Sequence, residues 1–127
     1  MYKIPETKKT ILKQIYDVLK QNGFDVYFPS QHKGECLSEY VVIKYAGTVN
    51  ELNVSSERPI YDFLCYVPLD RYSILEQYIY DIKEVLKQLY PLIGYLGNEI
   101  TSYYDEDVRA HMVSFQYQGI RKIYNWR

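Results

Sequence analysis

At 127 residues the chain is the usual size of one domain, long enough to bury a core without disulfide or metal staples. Its formal net charge of −1 excludes a diffuse electrostatic grip on nucleic acid over the whole surface, which needs a basic excess. Apolar residues make up 47%, which excludes disorder for the bulk of the chain, and no apolar run approaches the roughly 20 residues of a membrane helix.

In chain order, the first helix is expected from Pro5 to Asn22, where Ile11, Leu12, Ile15, Val18 and Leu19 recur at helical spacing. Gly23 stands where a left-handed residue ends a helix, and Phe24 would fold back onto Leu19 as in a Schellman cap. Phe24 to Phe28 reads as a short strand stopped by Pro29, with a turn-rich loop from Ser30 to Glu35. Tyr40 to Tyr45 is a strand rich in β-branched residues. Gly47 to Arg58 is polar and reads as a long connection between strands. Ile60 to Val67 is the next strand, with Tyr61, Phe63, Cys65 and Val67 on one face and Asp62 on the other.

After Pro68 a second helix is expected to run to Tyr90, capped by Asp70 or by Ser73, which has capping-box spacing to Glu76. Leu75, Ile79, Ile82, Leu86 and Leu89 form its apolar stripe, and Pro91 and Gly94 close it. Ile100 to Tyr104 and Val108 to Gln118 read as a hairpin joined by Asp105-Glu106-Asp107. In its second strand Val113, Phe115 and Tyr117 alternate with Ser114 and Gln116. The segment from Ile120 to Arg127 is a strand extension or a loose arm. The expectation is thus one α+β domain over residues 1–127: a mostly antiparallel sheet with two helices packed on one face, in the order α-β-β-(β)-α-β-β.

Catalytic signatures are weak. His32 and Cys36 share one loop, but zinc normally takes four ligands and the other Cys and His residues, Cys65 and His111, are distant in sequence. The acidic turn Asp105 to Asp107 lacks the ligand spacing of an EF-hand. No P-loop, dinucleotide fingerprint or nucleophile elbow occurs. The expectations are therefore no enzyme, no cofactor, no metal, reduced cysteines and no secretory leader.

Two features point to binding instead. There are 16 tyrosines against four phenylalanines, and tyrosine suits surfaces buried only on assembly, although it also replaces phenylalanine in a modest core. Within the polar connection, Val49, Leu52 and Val54 nearly alternate among Asn50, Asn53 and Arg58, which would let it extend as a hairpin onto a neighbour. The C-terminal segment interleaves Arg121 and Lys122 with Tyr124 and Trp126, a mixture found on protein-binding arms and on single-stranded nucleic-acid grips.

Three stretches carry a family likeness: Phe28-Pro29-Ser30-Gln31-His32-Lys33-Gly34-Glu35-Cys36 followed by Tyr40-Val41-Val42-Ile43; Tyr61-Asp62-Phe63-Leu64-Cys65-Tyr66-Val67-Pro68 leading to Tyr72-Ser73; and Ser114-Phe115-Gln116-Tyr117. Together they resemble the small tail-terminator, or tail-completion, proteins of phages and prophages of low-GC Gram-positive bacteria, over most of the chain. The resemblance implies a structural protein, usually a hexameric ring, that caps the tail tube and joins it to the head, or forms the collar of a headless tail-like particle. The implied partners are further copies of the chain, the tail tube or sheath protein and a head–tail connector where a head exists. DNA would be met only in passage through the ring lumen, and no membrane is involved. The implied setting is the host cytoplasm during assembly, then the virion or tail-like particle. The alternative is a small adaptor or regulatory domain touching nucleic acid through the C-terminal arm.

Overall fold

The computed structural model describes residues 2–3, 9–50 and 57–119. Two helices and a five-stranded, mostly antiparallel sheet make an α+β fold. Helix α1 spans Ile11–Gln21 and β1 spans Val26–Tyr27. Strands β2 (Tyr40–Asn50) and β3 (Glu57–Pro68) form a long hairpin. A 3-10 turn, Leu69–Ile74, leads into α2 (Leu75–Leu86), and a second one, Lys87–Leu89, follows it. Strands β4 (Ile93–Asp105) and β5 (Ala110–Gly119) complete the sheet in the order β1-β2-β3-β5-β4, in which the short β1 pairs parallel to β2.

Helix α1 starts at Ile11 and not at Pro5, because Thr10 has extended backbone and its hydroxyl accepts the Lys13 N–H at 3.1 Å. Residues 4–8 lie outside the described residues. Its end follows the expected Schellman pattern. Gly23 has φ +88°, its N–H donates to Lys20 O, and the Phe24 N–H donates to Leu19 O.

Four further boundaries differ from the sequence expectation. Within the stretch from Gly47 to Arg58 the described residues are strand: β2 runs on to Asn50 and β3 begins at Glu57, and residues 51–56 lie outside the described ones. Cross-strand pairing outweighs the polar composition there. Neither Asp70 nor Ser73 caps α2. The preceding 3-10 turn takes up its first donors, as when the Leu75 N–H donates to Tyr72 O. Gly94 lies inside β4, which begins seven residues before the expected Ile100. Val108 belongs to the turn, and β5 starts at Ala110.

The core lies between the helices and one sheet face. Ile15, Leu19, Ile82 and Leu86 from the helices meet Val41, Ile43, Phe63, Cys65, Val67 and Phe115 from the strands, all essentially solvent-free. The α2 stripe differs in one member: Tyr78 is buried, while Ile79 and Leu89 are half-buried at its margin.

Gly119 stands beside Pro59 on β3, in line with the register Ile60↔Gln118. A Cβ there would come within 2.7 Å of the Pro59 ring and 3.3 Å of Ile11. A proline ring cannot rotate away, so Gly119→Ala is expected to cost about 1–3 kcal/mol by overpacking. The urea midpoint checks this, and an unchanged midpoint would show that β3 yields at no cost.

Candidate assembly site

Among the described residues β5 pairs with β3 from Ile60 to Pro68 and its Gly119 stands beside Pro59, so Glu57–Arg58 and their partners Val49–Asn50 form a hairpin arm that extends beyond the last described residue of β5. The hairpin carries a bulge. Between the pairs Tyr45↔Tyr61 and Thr48↔Pro59, β2 uses one residue more than β3, at Ala46-Gly47, where Gly47 has φ +100°. An extra residue in one strand reverses its side-chain alternation. Val49 therefore opposes Arg58 on the face turned away from the helices, where it is 53% exposed, and Tyr45 before the bulge is 50% exposed. Of the expected interface residues, Val49, Asn50 and Arg58 thus belong to the arm, Asn50 pairing with Glu57 through the backbone register. Leu52, Asn53 and Val54, like Arg121, Lys122, Tyr124 and Trp126, lie outside the described residues.

The sheet face away from the helices carries a row that strand alternation hints at and that only register assembles. Tyr40 opposes Tyr66, Tyr66 opposes Met112, and Met112 opposes Tyr103. Tyr40 stacks on Tyr66 at 4.8 Å, and His32 from the loop before β2 stacks on Tyr40 at 3.8 Å. Tyr27 meets both His32 and Tyr40 edge-on. Burial, ahead of neighbouring charges, pushes the Tyr40 and Tyr66 hydroxyls up from their ordinary value. Further along, the face turns polar: Gln116 donates to Asp62 at 2.6 Å and Asn98 donates to Gln116 at 2.7 Å.

The loop residues His32 and Cys36 do not act on one another. The Cys36 thiol donates to the Ser38 carbonyl at 3.2 Å, and His32 Nδ1 is buried without a hydrogen-bond partner. Burial, with Glu39 nearby as the smaller cause, pushes the Cys36 thiol up to about 11, the reverse of an activated nucleophile. Cys65 is buried in the core on the other sheet face, its thiol also raised by burial. Among the described residues no three His, Cys, Asp or Glu side chains gather as a metal site. Both thiols should therefore resist a thiol-trapping reagent at pH 8 in the folded protein and react at once in urea. Sign follows from the raised value: the unfolded chain releases the Cys36 proton near pH 9 and the folded chain near 11, so this group lowers stability as pH rises across that window. Fast labelling of native Cys36 at pH 8 would overturn this.

A second concave feature lies between α2 and β4. Strand β4 is the sheet edge, and three successive bulges shift its register against β5 between Tyr95 and Tyr103. The gap is a cleft of about 620 Å³ walled by Tyr72, Glu76 and Ile79 on one side and Glu99, Ile100 and Val113 on the other. Lys83 spans its border, 3.3 Å from Glu99 and over the Tyr95 ring. Glu76 has no ion-pair partner among the described residues. Sequence reading did not single out this cleft, because no local pattern announces a bulged edge.

No protein-family model matches the chain, and no curated sequence is significantly similar to it. Among the described residues no helix is long and apolar enough to cross a membrane.

Proposed function

We propose that the chain is a structural, ring-forming subunit that caps a phage-type tail tube and joins it to a head or collar. The observation that carries this reading is the β2–β3 arm, whose Val49 is exposed beyond the last described residue of β5, with Tyr45 exposed nearer the sheet, so that among the described residues the hairpin offers apolar contacts that the core does not use. Tyrosines exposed elsewhere, such as Tyr72, Tyr80 and Tyr103, support it, since aromatic residues favour protein interfaces. The resemblance in Phe28–Cys36, Tyr61–Pro68 and Ser114–Tyr117 supplies the tail-terminator identity, and with it the hexameric ring, the tube or sheath partner, the connector and the location in a virion or tail-like particle. In this reading the chain has no catalytic role.

Electron microscopy of the purified protein, with and without tail tubes, tests the proposal. Rings of about six copies that sit at tube ends and halt elongation are the expected result. A monomer that leaves tubes growing overturns it. Salt-dependent binding to DNA by such a monomer would favour the adaptor reading instead.

A further inference from the structure

We infer that residues 28–39 form a pH-sensitive strap over the aromatic row, closed while His32 is neutral and opened when its imidazole takes up a proton. The inference stands apart from the assembly reading: what the strap governs is access to the row.

The path of the chain is the first argument. Strands β1 and β2 run parallel, so the chain must cross back between them, and it does so over the sheet face away from the helices. There Cys36 is buried against Tyr40 and Ala110, its N–H donates to the Val108 carbonyl at 2.8 Å, and Glu35 pairs with Arg109 at 3.3 Å. The crossing thus reaches from β1 to the turn between β4 and β5. Of residues 29–38, all but His32 and Cys36 are exposed. Ser30 and Gly34, on either side of His32, have φ +70° and +84°, and the serine holds that region at a steric cost. A segment with two anchors and an exposed remainder opens locally, ahead of global unfolding.

The chemistry of one anchor is the second argument. His32 stacks on Tyr40 at 3.8 Å and meets Tyr27 edge-on at 5.1 Å. These are the titratable groups that face it, from β2 and β1. The Tyr27 hydroxyl is raised by its hydrogen bond to Asp25 and that of Tyr40 by burial, so both stay neutral where imidazoles titrate. On the strap itself Lys33 and Glu35 flank it, and Glu35 is engaged with Arg109. Among the described residues no carboxylate pairs with the imidazole, and its Nδ1 is buried without a partner. Protonation puts an N–H on both ring nitrogens. In the closed strap the one at Nδ1 has no acceptor, whereas in the open strap water accepts it. The Tyr40 ring face attracts a cation but cannot take that hydrogen bond, and a charged donor buried without an acceptor is the costlier effect. A proton that binds the open form better drives opening as pH falls. Opening uncovers Tyr40 and Ala110, both buried in the closed strap, beside Tyr66, Met112 and Tyr103.

Hydrogen exchange of the full chain, followed by NMR from about pH 7.5 to about 5.5, is the test. The Cys36 amide, which donates to Val108, reports the strap, and the Phe63 amide in the central strand reports global unfolding. Protection of the Cys36 amide is expected to fall about tenfold across this range, the ratio for an imidazole of ordinary value that binds its proton only in the open form. Protection at Phe63 should stay constant. His32→Phe keeps a ring against Tyr40 and removes the proton site, so its Cys36 protection should no longer depend on pH. Constant Cys36 protection in the parent overturns the inference. An equal fall in His32→Phe assigns the change to other groups and overturns it too, as does a fall at Phe63 in step with Cys36, which means global unfolding.

Discussion

Phe63→Ala is expected to lower the free energy of unfolding by about 3–5 kcal/mol, the usual cost of truncating a buried phenylalanine. Phe63 is at 0% exposure in the middle of β3, the strand flanked by β2 and β5. Its ring stacks on Phe115 at 5.4 Å with the planes 9° apart, and Tyr117 meets it edge-on at 5.3 Å. Alanine leaves a void bordered by β-strand residues whose backbones are held by ladders on both sides, so collapse into it is restricted. A domain of this size has about 5–15 kcal/mol to lose, so the variant should sit near its unfolding threshold. Urea denaturation measures it. A shift below about 1 kcal/mol with unchanged slope would mean that the two-sided packing of β3 is looser than the burial indicates.

Replacing Asn50–Glu57 by Asn-Gly is expected to leave folding stability close to that of the parent and to abolish tube capping. The cut joins Val49 to Arg58, which already oppose each other, through the two residues favoured in tight hairpin turns. Shortening a loop changes its closure entropy little, and the buried core is built below this level, from Ile60 onward on β3. The arm's contribution to a neighbour or tube would be removed with its tip. Tube length in assembly reactions is the measurement: uniform capped tubes with the shortened arm would exclude it as a docking element. A large drop in melting temperature would instead show that the arm supports the fold.

Much of the architecture was legible because it rests on local rules. Apolar residues at helical spacing mark Ile11–Leu19 and Leu75–Leu86, and Gly23 ends α1 because a residue without Cβ takes φ +88° at no steric cost. Alternation marks Tyr61 to Val67 and Val113 to Tyr117, and in both strands the apolar set joins the core under the helices. The stretch from Gly47 to Arg58 misled because its composition is that of a loop, while its pairing partner was the neighbouring strand. Tyr78 was missed since tyrosine does not announce on which side of a helix its hydroxyl end will be tolerated, and here the hydroxyl is buried without a partner.

By itself, the sequence determined the α+β class, the broad order of elements and which residues of Tyr61 to Val67 and of Val113 to Tyr117 share a face, because periodicity and caps act over a few neighbouring residues. Tertiary structure alone decided three features of the surface. The bulge at Ala46-Gly47 turns Val49 to the face away from the helices, the three bulges in β4 shift its register beside the cleft, and register brings Tyr40, Tyr66, Met112 and Tyr103 into one row. A bulge is a mismatch in count between two strands. It belongs to the pair and not to either strand, so no pattern along one segment can contain it.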